Sequence, residues 1–551
     1  MSERLQFDYV IIGAGSAGCV LANRLGADTS KSILILEAGP MDRNLWIHVP
    51  AGVYRAWRDP KLNWNYETEP EPALDDQRVF MPRGKVVGGS SSINSMVYMR
   101  GHPRDYDHWE TDLGLAGWSY ADCLPYFKAG ESYAGGADEW RGGDGPLGVS
   151  PAAFDCPLYD AFLEAGEQAG QGRSDDLNGF NPEGVARFDA TKRDGRRCSA
   201  AVAHLRPALA RGNVTLLTGA AVQRILISDG RAEGVAFAHR GEDRIAEAGE
   251  VVLSGGAINS PQLLMLSGVG PADEVKRHDI AMTVEAPEVG RNLQDHASVI
   301  LQWESRESYP IHHVGKPLGK AKAGARWLIL RDGIAASNIW EAGGLIRGAE
   351  RFDYPNLQYH FGPIGFEYVD GRIALRQAFA IHVDQLRPRS RGALTLASAD
   401  PTAKPKLRFN YLSDQEDMRE MIEGVAKTRD LVAQPAFDAL RGAPIDPGPE
   451  VGDDRAVEAW IRASTTTDFH PCGTCRMGAD ETAVVDGEFR VRGVAGLRVV
   501  DASVMPRVVS ANLNAPTQMM AARAADFIAE RPQKAPIALR YAFDEPARAA
   551  G

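Results

Sequence analysis

Three glycines near the N-terminal end are the residues whose types and spacing predict a chemical role most directly. Gly13, Gly15 and Gly18 form the pattern G-x-G-x-x-G, and Glu37 follows 19 residues after Gly18. In this pattern the first glycine permits a tight turn, the second lets the backbone approach a pyrophosphate, and the third lets a helix pack closely on a strand. An acid at this distance can accept hydrogen bonds from a ribose. The four residues therefore predict a dinucleotide site.

A histidine in the last fifth of the chain, His470, is a candidate catalytic base. Histidine is the natural base near neutral pH, and His470 lies between a predicted helix and a glycine-rich turn. A histidine that only caps the turn is the alternative. The sequence therefore allows a proton-abstracting imidazole at this position.

Two cysteines follow this histidine in a pattern that imitates a metal site. Residues 471–475 have the pattern P-C-x-x-C, and residues 108–110 have the pattern H-x-E, as in zinc deaminases. More than 350 residues separate the two halves, whereas such a metal site is local. We therefore predict no metal, and we expect Cys472 and Cys475 to be packed thiols, with a redox pair as the alternative.

Apolar runs outline the elements that must position these residues. Residues 9–12 and 33–36 are typical of strands, and a helical stretch through Leu25 lies between them. They form a βαβ unit with the glycines at its first turn, which does not by itself distinguish NAD from FAD. Further along, the pattern predicts helices over 155–170, 259–267, 415–433 and 516–529, and strands over 214–217, 221–227, 251–253, 356–361, 393–396, 407–409 and 497–501.

Composition excludes several classes of protein. Hydrophobic residues make up 44% and charged residues 24%, as in a globular protein, and 551 residues are too many for one core. A net charge of −12 argues against nucleic-acid binding, and we see no Lys/Arg block typical of a membrane-binding patch. No apolar run is long enough for a membrane span, and the first strand leaves no room for a signal peptide. With only six cysteines, we expect a cytoplasmic protein, with peripheral membrane association left open.

Five segments, in order along nearly the whole chain, resemble the glucose–methanol–choline (GMC) flavin-dependent oxidoreductases. Within that family the chain looks most like the bacterial branch of choline dehydrogenases and primary alcohol dehydrogenases. The segments that carry the resemblance are Gly13 to Gly18 with Glu37, and residues 84–94, 256–270, 470–478 and 500–514.

The resemblance implies an α/β fold, α+β overall. A Rossmann-like FAD-binding domain would contain an inserted substrate domain made of an antiparallel sheet and helices. The FAD-binding domain would comprise residues 1–155, 201–296 and 463–535, the last with the catalytic loop. The substrate domain would comprise residues 156–200 and 297–462, and residues 536–551 would form a C-terminal tail.

The resemblance also implies an activity. We expect FAD-dependent oxidation of a primary alcohol to an aldehyde, by proton abstraction and hydride transfer to flavin N5. The alternatives are choline oxidation to betaine aldehyde, a flavin oxidase or a lyase on the same fold, and a non-catalytic or NAD-dependent binding protein. The electron acceptor would be a quinone, an artificial acceptor or oxygen, and a homodimer is an open alternative.

The family's site residues carry over to matching positions. His470 would be the base and Asn512 its partner, with Asn514 as the alternative partner, and Phe469 and Asp468 would line the substrate pocket. Some relatives link the flavin through a histidine where this chain has Ile93, so we expect non-covalent FAD. A helix starting near Pro516 would direct its N-terminus at the flavin and favour the reduced anion. The predicted FAD contacts are Gly13, Gly15, Ser16, Gly18, Glu37, Ala38, Arg83, Val87, Gly88, Gly89, Asn94, Ser95, Met96, Val97, Val222, Ala257, Asp501, Ala502, Asn514, Pro516 and Thr517.

Overall fold

The computed structural model describes residues 4–369 and 372–545, and in this part of the chain two seven-stranded sheets organise the fold. The helices are α1 (Ser16–Leu25), α2 (Leu45–His48), α3 (Val53–Ala56), α4 (Pro103–Thr111), α5 (Tyr120–Gly130), α6 (Pro157–Gln168), α7 (Arg206–Leu209), α8 (Gly256–Leu266), α9 (Ala272–Arg277), α10 (Pro317–Leu330), α11 (Gln415–Ala433), α12 (Asp454–Ser464) and α13 (Asn514–Ile528). The strands are β1 (Arg4–Ile12), β2 (Ile33–Glu37), β3 (Tyr66–Glu67), β4 (Phe80–Met81), β5 (Glu131–Tyr133), β6 (Leu147–Val149), β7 (Gly184–Arg187), β8 (Lys192–Arg193), β9 (Arg196–Arg197), β10 (Val214–Thr218), β11 (Ala220–Ser228), β12 (Arg231–His239), β13 (Glu242–Leu253), β14 (Val269–Gly270), β15 (Val284–Glu285), β16 (Ala297–Ser305), β17 (Ala342–Ile346), β18 (Leu357–Gly362), β19 (Gly365–Val369), β20 (Arg372–Arg376), β21 (Ala378–Gln385), β22 (Ala393–Thr395), β23 (Lys406–Arg408), β24 (Arg441–Asp446), β25 (Thr466–Thr467) and β26 (Leu497–Val499).

The first sheet contains the predicted βαβ unit. Its strand order is β10-β2-β1-β13-β12-β11, and β26 pairs with β13. The strands β10, β2, β1, β13 and β26 run parallel, whereas β12 and β11 are antiparallel additions. All five residues of β2 are buried, as expected for a parallel strand covered on both faces. The predicted Rossmann-like fold class is confirmed.

The second sheet is antiparallel and lies in the segments predicted to form the inserted domain. Its order is β24-β16-β21-β18-β17-β7, with β25 paired to β16. Helix α11 packs on β21, and α6 packs on β7. The strands of this sheet come from 184–187 and 297–467, so β25 joins it from beyond residue 462. The domain boundaries themselves stay a prediction.

Two helices begin earlier than their prolines suggested. Helix α13 begins at Asn514 rather than near Pro516, because the first turn of a helix needs no backbone N–H donors and tolerates proline there. Helix α8 begins at Gly256 and contains Pro261. The N–H that Pro261 lacks would have bonded to the carbonyl of Ala257, and the Thr474 hydroxyl donates to that carbonyl instead, at 2.6 Å.

Two further expectations concern the cysteines and the membrane. All six cysteines are buried and unpaired. Burial raises the thiol pKa of both Cys472 and Cys475, which keeps these thiols protonated and fits packed residues better than a redox pair.

In the described ranges, every helix is too short or too polar to cross a bilayer.

Candidate active site

A cavity of about 2320 Å³ lies between the two sheets. Its wall includes the carboxyl ends of three parallel strands, at Ile12, Glu37 and Leu253, where ligands bind in open α/β sheets. On the other side the wall includes His360 and His382 from the second sheet. A volume this far above the 300–1,000 Å³ of an ordinary small-molecule pocket fits a dinucleotide with a substrate beside it.

The glycine-rich turn has the shape of a phosphate cradle. Gly13 has φ +98°, in the left-handed region that favours glycine. A Cβ at Gly18 would lie 1.9 Å from the carbonyl oxygen of Gly13, so Gly18 is required for packing. A Cβ at Gly15 would meet only the carbonyl oxygen of Ser254, at 4.0 Å, because Gly15 faces the cavity. The backbone at Gly15 is thus open to a ligand.

Glu37 closes the adenosine end of this cradle. Its carboxylate accepts hydrogen bonds from the N–H groups of Ala14, at 2.9 Å, and Gly39, at 2.8 Å. Burial raises the pKa of Glu37 to about 7, although both hydrogen bonds oppose the shift. The carboxyl group keeps free acceptor positions on the cavity side. The turn and Glu37 therefore fit the pyrophosphate and ribose of FAD.

Most of the predicted FAD contacts lie in the cavity wall, and four lie behind it. These four residues hold the wall segments in place, and as FAD contacts they stay predictions. Gly18 packs α1 on the turn, and Gly88, with φ +92°, donates its N–H to the carbonyl of Ala14 at 2.7 Å. Val87 and Pro516 are buried behind the wall. The predicted residues in the wall are Gly13, Gly15, Ser16, Glu37, Ala38, Arg83, Gly89, Asn94, Ser95, Met96, Val97, Val222, Ala257, Asp501, Ala502, Asn514 and Thr517, with Asp468, Phe469, His470 and Asn512.

His470 is held from its backbone and from both ring nitrogens. Its N–H donates to Asp295 at 2.7 Å. Its Nδ1 lies 3.0 Å from Nδ1 of His296 and 3.1 Å from a carboxylate oxygen of Asp468. Its Nε2 lies 3.2 Å from Nδ2 of Asn512. An Nδ1–H donated to Nδ1 of His296 leaves the Nε2 lone pair directed at the amide and the cavity, while the nearby Asp468 oxygen makes no hydrogen bond to any residue that the structure describes.

The backbone before His470 is strained and fixed by polar contacts. Phe469 has φ +66°, which is uncommon for a large side chain. Its N–H donates to the Thr467 hydroxyl at 2.7 Å, and its carbonyl accepts from the Arg83 guanidinium at 2.6 Å. These contacts turn the chain so that the next side chain, His470, enters the cavity.

The electrostatics of the site keep His470 neutral. Burial lowers the pKa of His470 well below its usual value, and the positive charges of His360 and Arg83 lower it further. Burial also lowers the pKa of His296 to about 4. A neutral imidazole at His470 can accept a proton throughout the physiological pH range.

A second imidazole, His360, was not predicted from the sequence. Its Nδ1 lies 2.7 Å from Asp384, and its Nε2 lies 3.4 Å from Nδ2 of Asn512. Burial alone would lower the pKa of His360, but the charges of Asp468 and Asp384 raise it to about 9. His360 is therefore a cation at neutral pH.

The sequence pattern that could have revealed His360 and its neighbours is the alternation of side chains between the two faces of a strand. On β18, Gln358 and His360 share one face, and on β21 the same is true of His382 and Asp384. The register pairs His360 with His382 and Gln358 with Asp384. Polar residues at alternate positions of otherwise apolar strands are therefore the pattern that marks this sheet face as part of a site.

The geometry separates the two candidate partners of His470. The carbonyl oxygen of the Asn512 amide accepts from Gln358 at 3.2 Å, which directs its Nδ2 toward the two imidazoles. The amide of Asn514 instead accepts from Ser16, at 3.0 Å, across the start of α1. This arrangement favours Asn512 as the partner.

Aromatic rings line the wall near His470. The Trp57 ring lies 5.9 Å from Phe469 and 6.1 Å from Phe80, measured between centroids. Trp340 packs edge-on against His382, at 4.6 Å. The neighbouring Glu341 points away from the cavity and pairs with Lys192 and Arg187. The acid beside these rings is Asp468, whose side chain is only 12% exposed.

The two perturbed imidazoles predict an unusual pH profile for flavin reduction by substrate. Because the pKa of His470 is low, this imidazole, the expected base, stays deprotonated, and we expect no loss of rate on the acid side down to pH 6.5. His360 loses its proton as the pH rises through about 9, so the rate should fall there. Stopped-flow measurement of the flavin reduction rate between pH 6 and 10 covers both the acid and the alkaline side of this profile. The variant His360→Gln should lack the alkaline decline, and an unchanged decline in that variant would contradict the assignment.

Comparison with known proteins places these observations in context. Models of the N-terminal and C-terminal parts of the GMC oxidoreductase family match residues 7–298 and 388–521. An oxygen-dependent choline dehydrogenase of Rhizobium etli is 46% identical over 528 residues, which is 95% of this chain and 96% of the relative. One from Pseudomonas savastanoi is 44% identical and covers 100% of this chain and 98% of the relative.

Solved structures resemble nearly the whole chain. A pyridoxine 4-oxidase from Mesorbium loti has a TM-score of 0.86 at 29% identity, over 96% of this chain and 100% of that chain. A formate oxidase variant from Aspergillus oryzae has a TM-score of 0.88 at 26% identity, over 96% and 99% of the two chains.

Proposed function

This chain belongs to the GMC oxidoreductase family and is an FAD-dependent enzyme that oxidises CH–OH groups, and from that premise we propose that it converts a primary alcohol to an aldehyde with His470 as base and Asn512 as its partner. One observation carries the proposal. Nε2 of His470 and Nδ2 of Asn512 lie 3.2 Å apart in the wall of the cavity that also contains the glycine cradle.

Different side chains of the site accept the hydroxyl proton, hold the base in place and stabilise the negative oxygen. Bound FAD would supply the acceptor for the hydride that leaves the alcohol carbon. The neutral His470 takes the hydroxyl proton at Nε2, while His296 holds its Nδ1 side. Nδ2 of Asn512 and the protonated Nε2 of His360 are both donors, so both can stabilise the negative oxygen that results.

The cavity wall supports FAD held without a covalent bond. Ile93 lies in the wall and offers no nucleophilic atom. The cradle, Glu37 and the start of α13 at Asn514 supply backbone and polar groups instead. Denaturation should therefore release intact FAD from the polypeptide.

Choline is a second candidate substrate. A quaternary ammonium group binds aromatic faces and a carboxylate. Trp57, Phe469 and Trp340 supply the aromatic faces in the cavity wall. Asp468 supplies a carboxyl group whose pKa burial raises well above its usual value, so that a bound cation would be needed to favour its charged form. The relatives from Rhizobium etli and Pseudomonas savastanoi bear the name choline dehydrogenase, which favours the same substrate.

A substrate panel under anaerobic conditions tests the proposal. We expect 1-butanol, benzyl alcohol or choline to bleach the flavin colour, whereas a polyol whose hydroxyls are all secondary, such as inositol, should react at least about tenfold more slowly. Turnover with oxygen and with an artificial quinone then identifies the acceptor class. Choline outperforming both neutral alcohols would establish the second candidate. A colourless protein, or product formation without bleaching, would contradict flavin-dependent alcohol oxidation.

A further inference from the structure

The start of α13 carries a side-chain amide that is held by two hydrogen bonds. Asn514 is the first residue of α13 and lies in the cavity wall. Its Oδ1 accepts from the Ser16 hydroxyl at 3.0 Å and from Nε2 of Gln518 at 3.2 Å. No residue in 4–369 or 372–545 accepts a hydrogen bond from Nδ2 of Asn514, so this NH₂ group is left for an occupant of the cavity.

The orientation of this amide depends on Gln518 and not on Ser16. A hydroxyl group can either donate or accept, so Ser16 would tolerate the Asn514 amide in both orientations. Gln518 lies one turn further along α13 and is only 7% exposed, and its own amide can offer either an oxygen or a nitrogen. Asn514 therefore faces the cavity with its nitrogen only if Gln518 turns its nitrogen toward Asn514.

A buried histidine fixes the amide of Gln518. His204 is 5% exposed, and its Nε2 lies 3.1 Å from Oε1 of Gln518. Burial lowers the pKa of His204 to about 4, so the ring is neutral and carries one N–H. If that hydrogen is on Nε2, His204 donates to Oε1 of Gln518, whose nitrogen is then directed at Asn514. The tautomer of His204 therefore decides the orientation of both amides.

An arginine on the other side of His204 determines this tautomer. Nδ1 of His204 lies 3.3 Å from Nδ2 of Asn23 on α1. The Arg211 guanidinium donates to Oδ1 of Asn23 at 2.7 Å and to the Asn23 carbonyl at 2.8 Å. Because a guanidinium has no acceptor atom, Asn23 must turn its Nδ2 toward His204. Nδ1 of His204 then accepts, Nε2 carries the hydrogen, and every hydrogen bond from Arg211 to Asn514 has one direction.

We propose that this series of hydrogen bonds holds the Asn514 amide as a donor to bound FAD, which makes His204 and Gln518 positioning residues for the cofactor. Ser16 follows Gly15 directly and starts α1, so Asn514 lies beside the glycine cradle. The pyrophosphate that this cradle fits has only acceptor oxygens, and an amide turned the other way would oppose them with its own oxygen. The proposal rests on FAD binding and not on the identity of the alcohol or of the base.

The rate at which the FAD-loaded enzyme releases its cofactor tests the proposal. Gln518→Glu keeps the shape of the side chain, but an ionised carboxylate cannot donate, so Asn514 would turn its nitrogen to the carboxylate and its oxygen to FAD. At pH 9 we expect this variant to release FAD roughly ten- to a hundredfold faster than the wild type, measured by flavin fluorescence after dilution. At pH 5.5 the ratio to the wild type should be smaller, because a protonated carboxyl group donates again while His204 stays neutral.

A double-mutant cycle separates the orientation of the amide from other effects of the substitution. Asn514→Ala alone should also release FAD faster, and adding Gln518→Glu to it should change the rate less than about twofold, because no amide is left to turn. A charge that repels FAD directly, or a damaged helix, would accelerate release in both backgrounds and would overturn the proposal. Gln518→Met removes the donor without adding charge, should also accelerate release, and replaces Gln518→Glu in the cycle if that variant does not fold.

A surface glutamine provides the matched control. Gln168→Glu makes the same change at an exposed position at the end of α6, outside the cavity wall, and should leave FAD release unchanged. Equal release rates for Gln518→Glu and the wild type at pH 9 would overturn the proposal. A wild type that holds FAD but is not reduced by any alcohol would contradict the proposed function and leave the effect of Gln518→Glu on FAD release to be measured as before.

Discussion

Replacing His470 with alanine is expected to slow reduction of bound flavin by alcohol about 10²- to 10⁴-fold. Among the residues that the structure describes, the substitution removes the only group within hydrogen-bond distance of Asn512 Nδ2 that is neutral and able to accept the hydroxyl proton, because His360 is already protonated. FAD should stay bound, since the glycine cradle and Glu37 lie at another part of the wall.

Rapid anaerobic mixing with alcohol measures the reduction rate of this variant, and its visible absorbance measures retained flavin. His278→Ala is a suitable control, because His278 lies near Glu274 and outside the cavity wall, and its reduction rate should match the wild type. If His470→Ala reduces flavin at the normal rate, a group other than His470 accepts the hydroxyl proton and the assignment is wrong. If it loses flavin, His470 supports binding and not only chemistry.

Replacing Gly15 with valine is expected to yield folded protein without FAD. The structure leaves room for a Cβ at Gly15, whose φ of −80° suits any residue. The added side chain would occupy the space where a pyrophosphate meets the backbone. A steric cost of roughly 3 kcal/mol there corresponds to about a hundredfold weaker FAD binding. Flavin content after purification and a thermal melt of the polypeptide measure the two effects separately.

Gly18→Ala is the matched comparison, since it adds a smaller group to the same turn. Its Cβ would lie 1.9 Å from the Gly13 carbonyl oxygen, so we expect a loss of roughly 3 kcal/mol in the free energy of unfolding. Gly15→Val should therefore change flavin content more than stability, and Gly18→Ala the reverse. A Gly15→Val protein that unfolds, or one that binds FAD normally, would contradict the cradle.

Part of the site could be predicted because its signals are local. The turn at Gly13 to Gly18 depends on backbone conformations that only a few neighbouring residues determine, and the βαβ unit follows from adjacent apolar runs. Helix α11 was predicted at the bounds it has, since one amphipathic period extends from Gln415 to Ala433. The resemblance to one family added His470 and Asn512 as a pair.

Other features depended on tertiary contacts. His360 and Asp384 come from different strands, and alternation could show a polar face without showing that it meets Asn512, more than 150 residues from His360. The same holds for the Asn514 amide, whose orientation depends on Gln518 and on His204 from a distant part of the sequence. This series of hydrogen bonds appears only when α1 and α13 pack together.

The amino-acid sequence by itself thus determined the nucleotide-binding turn, the order of most elements and the family. Tertiary structure alone decided which imidazoles meet, which is charged and which way the Asn514 amide faces. The physical reason is that backbone turns and periodicity depend on near neighbours, whereas pKa shifts and side-chain orientation depend on every group that packing brings within a few ångströms.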